Sequence, residues 1–201
     1  MRDTRLAHGA GRGWWLGLGL LACLAGAAWA EEVAGLKPGS AAPVFFMDTY
    51  NPEASGVKRV FLDKLVGPTA ENPRKLVLLS FFNIDCKPCR QELPFLQRLH
   101  ARYAAAGLGV VVVNCDSKPE KIEELLAYLK ASAFTFPVLK DRFQALQRRY
   151  AVASFPTMYF LDGQGLVQEA RVGYNEEKNP FPLASLQQRL GVPVEALPAN
   201  P

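Results

Sequence analysis

The sequence predicts an α/β fold, a central mixed β-sheet flanked by helices. Three observations carry it. The runs LVLLSFF (76–82) and LGVVVVNC (108–115) are unbroken apolar stretches, as in strands buried on both faces. Each is followed by apolar residues at helical spacing: Leu93, Leu96, Leu99 and Tyr103 after the first, Ile122, Leu125, Leu126 and Leu129 after the second. Strand–helix–strand order implies parallel pairing. Finally, TMYFL and LVQEARV flank Asp162-Gly163-Gln164-Gly165, a turn sequence that makes them an antiparallel hairpin on the same sheet.

The elements follow in order. Residues 31–43 read as a linker, and Val44–Met47 as a short strand. Residues 50–59 and 67–75 hold Pro, Gly, Asn and charge, and read as loops around VFLDKL. The first strand passes into a helix over about 87–106, which Pro94 kinks and Gly107 ends. Ser117, Pro119 and Glu120 make a capping box ahead of the second helix. FPVL is a short extended piece, 143–150 a short helix, 183–190 a final helix and 191–201 a Pro-rich tail. The order is β-α-β-α-β-β-α, with the domain at 44–190. Phe45, Phe46, Phe81, Phe82 and Tyr159 are core candidates.

The N-terminus reads as an export segment. Arg2, Arg5 and Arg12 precede an apolar stretch from Trp14 to Ala28, and Ala28-Trp29-Ala30 is a small-x-small cleavage pattern. Residues 1–30 are thus a signal peptide, an uncleaved membrane anchor, or, through Leu20-Leu21-Ala22-Cys23, a lipoprotein signal acylated at Cys23. All three place the domain outside the cytoplasm, and two attach it to a membrane. The formal charge is +4, of which residues 1–30 hold three Arg and one Asp. The remainder is too weakly basic to suggest nucleic-acid binding.

Outside the export segment the cysteines are Cys86, Cys89 and Cys115, an odd count that argues against a disulfide framework. Cys86-Lys87-Pro88-Cys89 sits where the first strand passes into its helix, the end of an α/β sheet where sites form. Three chemistries suit a CxxC pair. Zinc needs more ligands, yet there is no second CxxC, and the histidines are His8 and His100. A structural disulfide closing so short a loop restrains the unfolded chain little. A redox dithiol has a direct basis: Cys86 at a helix N-terminus meets unpaired N–H groups that stabilise a thiolate, and Lys87 adds positive charge. The thiolate attacks a disulfide sulfur, and Cys89, one turn further in, resolves the mixed disulfide. Pro88 stiffens the loop and removes an N–H donor. Cys115 reads as a core residue at a strand end.

Residues 81–99, FFNIDCKPCRQELPFLQRL, with 136–167, FPVLKDRFQALQRRYAVASFPTMYFLDGQGLV, resemble exported thioredoxin-like proteins of the TlpA/ResA type over about 38–190. The resemblance implies the thioredoxin fold and a thiol-disulfide oxidoreductase that needs no cofactor and no metal. It implies that Pro156 is the cis-proline facing the dithiol, beside backbone that pairs with an extended substrate, and that Phe155 flanks the groove. It implies that Glu92 assists proton transfer. It also implies the partners: disulfide-containing proteins, including apocytochrome c, and a membrane thiol electron donor. Two departures stand out. Asp85 occupies the position before Cys86 where the family usually has Trp, and its charge opposes a thiolate. Phe155 is bulkier than usual. These departures favour an alternative, a redox-inactive thioredoxin-fold binding or metal-delivery module. A peroxide-reducing relative is a third reading, against which the CxPC at a helix start argues.

Overall fold

The computed structural model describes residues 35–193 apart from 72, 176 and 179. The expected signal segment and most of the tail lie outside the described residues. Thirteen elements follow in order: β1 (Phe46–Asp48), α1 (Pro52–Ser55), β2 (Arg59–Phe61), α2 (Leu62–Leu65), β3 (Leu76–Phe82), α3 (Lys87–Tyr103), β4 (Leu108–Asn114), α4 (Pro119–Ser132), β5 (Val138–Lys140), α5 (Ala145–Arg149), β6 (Thr157–Asp162), β7 (Val167–Val172) and α6 (Leu183–Leu190). Five strands form one sheet in the order β5-β4-β3-β6-β7. β3 pairs with β4, and β4 with β5, in parallel; β6 and β7 run antiparallel. β1 and β2 make a separate antiparallel pair.

The apolar runs become the two central strands for a simple reason: every residue of β3 and β4 is buried. Alternation divides β3 between two cores. Leu76, Leu78 and Phe82 join α3 and α4 residues on one face, while Val77, Leu79 and Phe81 pack against Tyr150 and Tyr159 on the other. Ser80 takes an α3-facing position between Leu78 and Phe82. The hairpin turn is built by Asp162, whose Oδ1 accepts the N–H groups of Gln164 and Leu166 at 2.9 and 3.0 Å. Gly165 supplies the positive φ of 79° that this turn needs.

The structure changes several expectations. The extended piece FPVL leads into a strand of the sheet, β5, and Asn51 holds the chain at its start: the Asn51 amide donates to the Phe134 and Phe136 carbonyls and accepts from Val138 N–H. The loops around VFLDKL contain α1, β2 and α2, elements too short for periodicity to reveal. The capping box does not form. Pro119 takes the first helical position, which makes Lys118 the cap, and no side chain bonds there. Phe46 is not core: it is 67% exposed and stacks on Phe61. Residues 39–42 lie along the hairpin, where Gly39 N–H donates to Val167 and Ala42 N–H to Gly165.

Candidate active site

The last residues of β3 aim the chain at α3, and Cys86 caps that helix. Its backbone is extended, and its Sγ accepts the N–H of Cys89 at 3.2 Å. This is the local basis for stabilising negative charge on sulfur: an otherwise orphan N–H of the first turn points at it. The two cysteines are joined as a disulfide, with Cα atoms 5.2 Å apart. Their environments differ. Cys86 is partly accessible, whereas Cys89 is fully buried. Lys87 is exposed, and Pro88 partly buried, between them.

One turn along α3, Glu92 lies on the same face as Cys89. It is 2% exposed, and it receives the Ser80 hydroxyl proton at 2.6 Å. Burial pushes its carboxyl up to about 7, against the opposing effects of the Ser80 hydrogen bond and of Arg171. A carboxyl of that kind exchanges a proton near neutral pH, the property general acid–base work requires. The sequence places an acid in α3; only the register of α3 against β3 shows that it faces inward onto Ser80.

Phe155-Pro156 is a cis peptide bond. β6 opposes β3 with Thr157 across from Phe81, so this dipeptide and the dithiol share one end of the sheet. The Pro156 carbonyl accepts Gly173 N–H at 2.8 Å. Among the described residues, no hydrogen bond engages the backbone of Phe155. Its ring packs partly buried against both cores.

Asp85 does not face the sulfur as a lone charge. Lys121 of α4 pairs with it at 2.5 Å and also reaches Glu124 at 3.1 Å. Lys121 had no sequence signal of its own, because the contact joins the start of α3 to the start of α4. Asp116 is a further acid that the sequence reading passed over. It follows β4 in NCDS, and its carboxylate accepts Ile84 N–H at 2.8 Å and the Asn114 amide at 2.6 Å, bracing the loop before Cys86. Burial raises its pKa, and these hydrogen bonds lower it. Cys115 is buried, and its thiol is raised by burial, then by Asp141 and Asp116. Among the described residues no group of three or more His, Cys, Asp or Glu side chains is placed to hold a metal ion.

Comparison with known proteins agrees with this geometry. The AhpC/TSA family model matches residues 39–170. The thioredoxin-like protein YneN of Bacillus subtilis is 33% identical over 150 residues, covering 75% of this chain and 80% of that one. Sporulation thiol-disulfide oxidoreductase A of the same organism is 27% identical, covering 78% and 84%. Among solved structures, a chain assigned as the thiol:disulfide interchange protein DsbE of Chlorobium tepidum superimposes with a TM-score of 0.60 at 28% identity, over 77% of this chain and 96% of that one. With most of its length matched by the family model, and a CxxC pair at the start of α3, the chain belongs to the AhpC/TSA family and is a thioredoxin-like thiol-disulfide oxidoreductase of the TlpA/ResA type.

Proposed function

We propose that the protein is an exported reductase of disulfides in partner proteins, and that it draws its electrons from a membrane thiol donor. In the reduced state the Cys86 thiolate attacks one sulfur of a substrate disulfide. A mixed disulfide forms, and the other substrate sulfur leaves and takes a proton. Cys89 then passes its proton to Glu92 and attacks Cys86 Sγ, releasing the second substrate thiol and leaving the Cys86–Cys89 disulfide. Two electrons have moved to the substrate, and the donor restores the dithiol. The backbone at Phe155 pairs with the extended substrate segment, with Lys87 and Pro88 along its edge. The apolar, Arg-led N-terminal segment delivers the domain across the membrane, where the disulfide of oxidised apocytochrome c, on the cytochrome c maturation route, is a substrate class of the right chemistry.

The observation that carries this reading is the asymmetry of the pair: Cys86 is accessible and accepts a helix N–H, whereas Cys89 is buried one turn from Glu92. The alternative, an inert binding module, draws on the charge of Asp85 and the bulk of Phe155. The pairing of Asp85 with Lys121 weakens the first of these motives. Insulin reduction driven by dithiothreitol tests the choice. The native protein should accelerate precipitation and Cys86→Ser should not; a native rate no better than dithiothreitol alone overturns the proposal.

A further inference from the structure

Phe143 is the most exposed large apolar side chain among the described residues, at 86%. A single exposed phenylalanine decides nothing by itself. Its setting does. Phe46, the next most exposed aromatic, stacks on Phe61 and has Arg59 over its ring. Phe143 joins neither core, yet its backbone is firmly held. Asp141, buried at the start of the turn, accepts Leu146 N–H on Oδ1 at 3.1 Å and Gln147 N–H on Oδ2 at 2.7 Å. The Asp141 carbonyl accepts Gln144 N–H at 2.9 Å, and Arg148 donates to the Phe143 carbonyl at 3.0 Å. Gln144 takes a positive φ of 54°, uncommon for a residue with a Cβ. Its amide donates to the Cys115 carbonyl at 3.2 Å and ties the turn to the end of β4. An apolar ring is thus presented to solvent on a fixed backbone, so a partner that covers it orders little else.

The turn stands at the reactive end of the sheet. Phe82, Asn114 and Lys140, the last residues of β3, β4 and β5, are aligned across the strands. The segments that follow them therefore emerge side by side: 83–85 ahead of Cys86, then 115–118, then the Phe143 turn. Two strand spacings, roughly 10 Å, separate the first from the third. Between them lies a cavity of about 170 Å³, whose lining runs from Phe155 past Asp85, Ser117 and Lys118 to Gln144, the neighbour of Phe143. Asp85, Ser117 and Lys118 are exposed, and Gln144 and Phe155 partly so, which leaves this floor open to a chain laid over it.

The exchange reaction fixes what that chain is. A mixed disulfide bonds the substrate's cysteine to Cys86, so the residues flanking that cysteine must cross the neighbouring strand ends. On one side they meet the backbone at Phe155. On the other, an extended chain rising about 3.3 Å per residue reaches the third strand end in about three residues. We propose that Phe143 is a specificity-determining residue of this reaction, and that it binds an apolar side chain about three residues from the substrate's reactive cysteine. An aromatic ring on a fixed backbone is the kind of anchor that dominates such contacts. The polar cavity floor sets no apolar requirement on the residues in between. The inference rests on the dithiol exchange proposed above, but not on its direction.

The test uses the freshly reduced full-length protein in single-turnover kinetics. Acetyl-Leu-Ser-Ser-Cys-Ser-Ser-Leu amide carries thionitrobenzoate on its cysteine. Leucine stands on both sides, so either chain direction is covered. The Cys86 thiolate attacks the peptide sulfur, the Cys86–peptide bond forms, and coloured thionitrobenzoate leaves with the electron pair of the broken bond. Cys89 then attacks Cys86 Sγ and frees the peptide thiol. The leucine peptide is expected to react about fivefold faster than its all-serine counterpart, a gain short of burying a leucine completely. Phe143→Ser should bring that ratio to about one, and Phe143→Met should keep most of it. The comparison of peptides on the native protein needs no variant. A ratio of one in the native protein, or one that survives in Phe143→Ser, overturns the proposal. A native protein that releases thionitrobenzoate from no disulfide, the symmetrical dithiobis(nitrobenzoate) included, overturns the exchange reaction and the proposal with it.

Discussion

Cys86 and Cys115 lie at the same end of the sheet, yet they are opposite kinds of sulfur. Cys86 caps α3, is partly accessible and accepts an N–H from Cys89. Cys115 follows β4 into the core, where burial and two nearby carboxyl groups push its thiol upward. The difference shows that reactivity is assigned by backbone position. A helix start offers unpaired donors to a thiolate, and a strand end inside a core offers none.

The largest expected effect comes from exchanging roles. Cys86→Ser should lower insulin reduction at least ~100-fold, because the nucleophile is gone. Cys115→Ala should leave the rate within about twofold and cost on the order of 1 kcal/mol in urea unfolding, from a small cavity. Comparable losses of rate in both variants would erase the contrast.

Next is Glu92, one turn from Cys89 on α3, whose buried carboxyl is hydrogen-bonded by Ser80. Glu92→Gln should slow turnover ~10- to 100-fold. It should also change stability against pH. The carboxyl is held up to about 7 in the fold against 4.5 as the ordinary value. Between those pH values the folded protein keeps a proton that the unfolded chain releases. This contribution is therefore full below 4.5 and is lost as pH rises through about 7. The loss is on the order of 3 kcal/mol, and Glu92→Gln should abolish it. Guanidinium unfolding at several pH values across that range measures this. Ser80→Ala is the finer version: without its hydroxyl the carboxyl should titrate higher, moving the acid limb of the pH–rate profile upward.

The smallest effect sharpens the electrostatic side. Lys121→Ala leaves the Asp85 charge unpaired beside Cys86. Alkylation of Cys86 should slow about twofold at low salt, and the difference should fade in 1 M salt, as exposed ion pairs do.

Much of this was legible in the sequence, for identifiable reasons. Unbroken apolar runs, helical spacing and an Asp-Gly turn each have one physical reading, so four of the five sheet strands and the place of the dithiol followed, whereas β5 did not. Pro156 rested on resemblance, because nothing local marks a cis bond. What stayed hidden depended on register between elements. Glu92 looks like an ordinary helix acid until α3 is laid against Ser80. The Asp85–Lys121 pair joins two helix starts far apart in sequence. FPVL reads as a short extended piece, and only the pairing of Val138–Lys140 with Val112–Asn114 shows that its second half enters the sheet. Phe46 resembled core because a strand of three residues carries too little alternation to choose a face.

Activation of the Cys86 sulfur by the start of α3 can be read from its alkylation rate. The freshly reduced protein is alkylated with iodoacetamide at slightly acidic to neutral pH, and the rate at Cys86 is compared with that of the same residue in the urea-unfolded chain. Labelling is expected to be faster in the folded protein, with Cys115 unlabelled until unfolding. Slower labelling of Cys86 in the fold than in urea would contradict it.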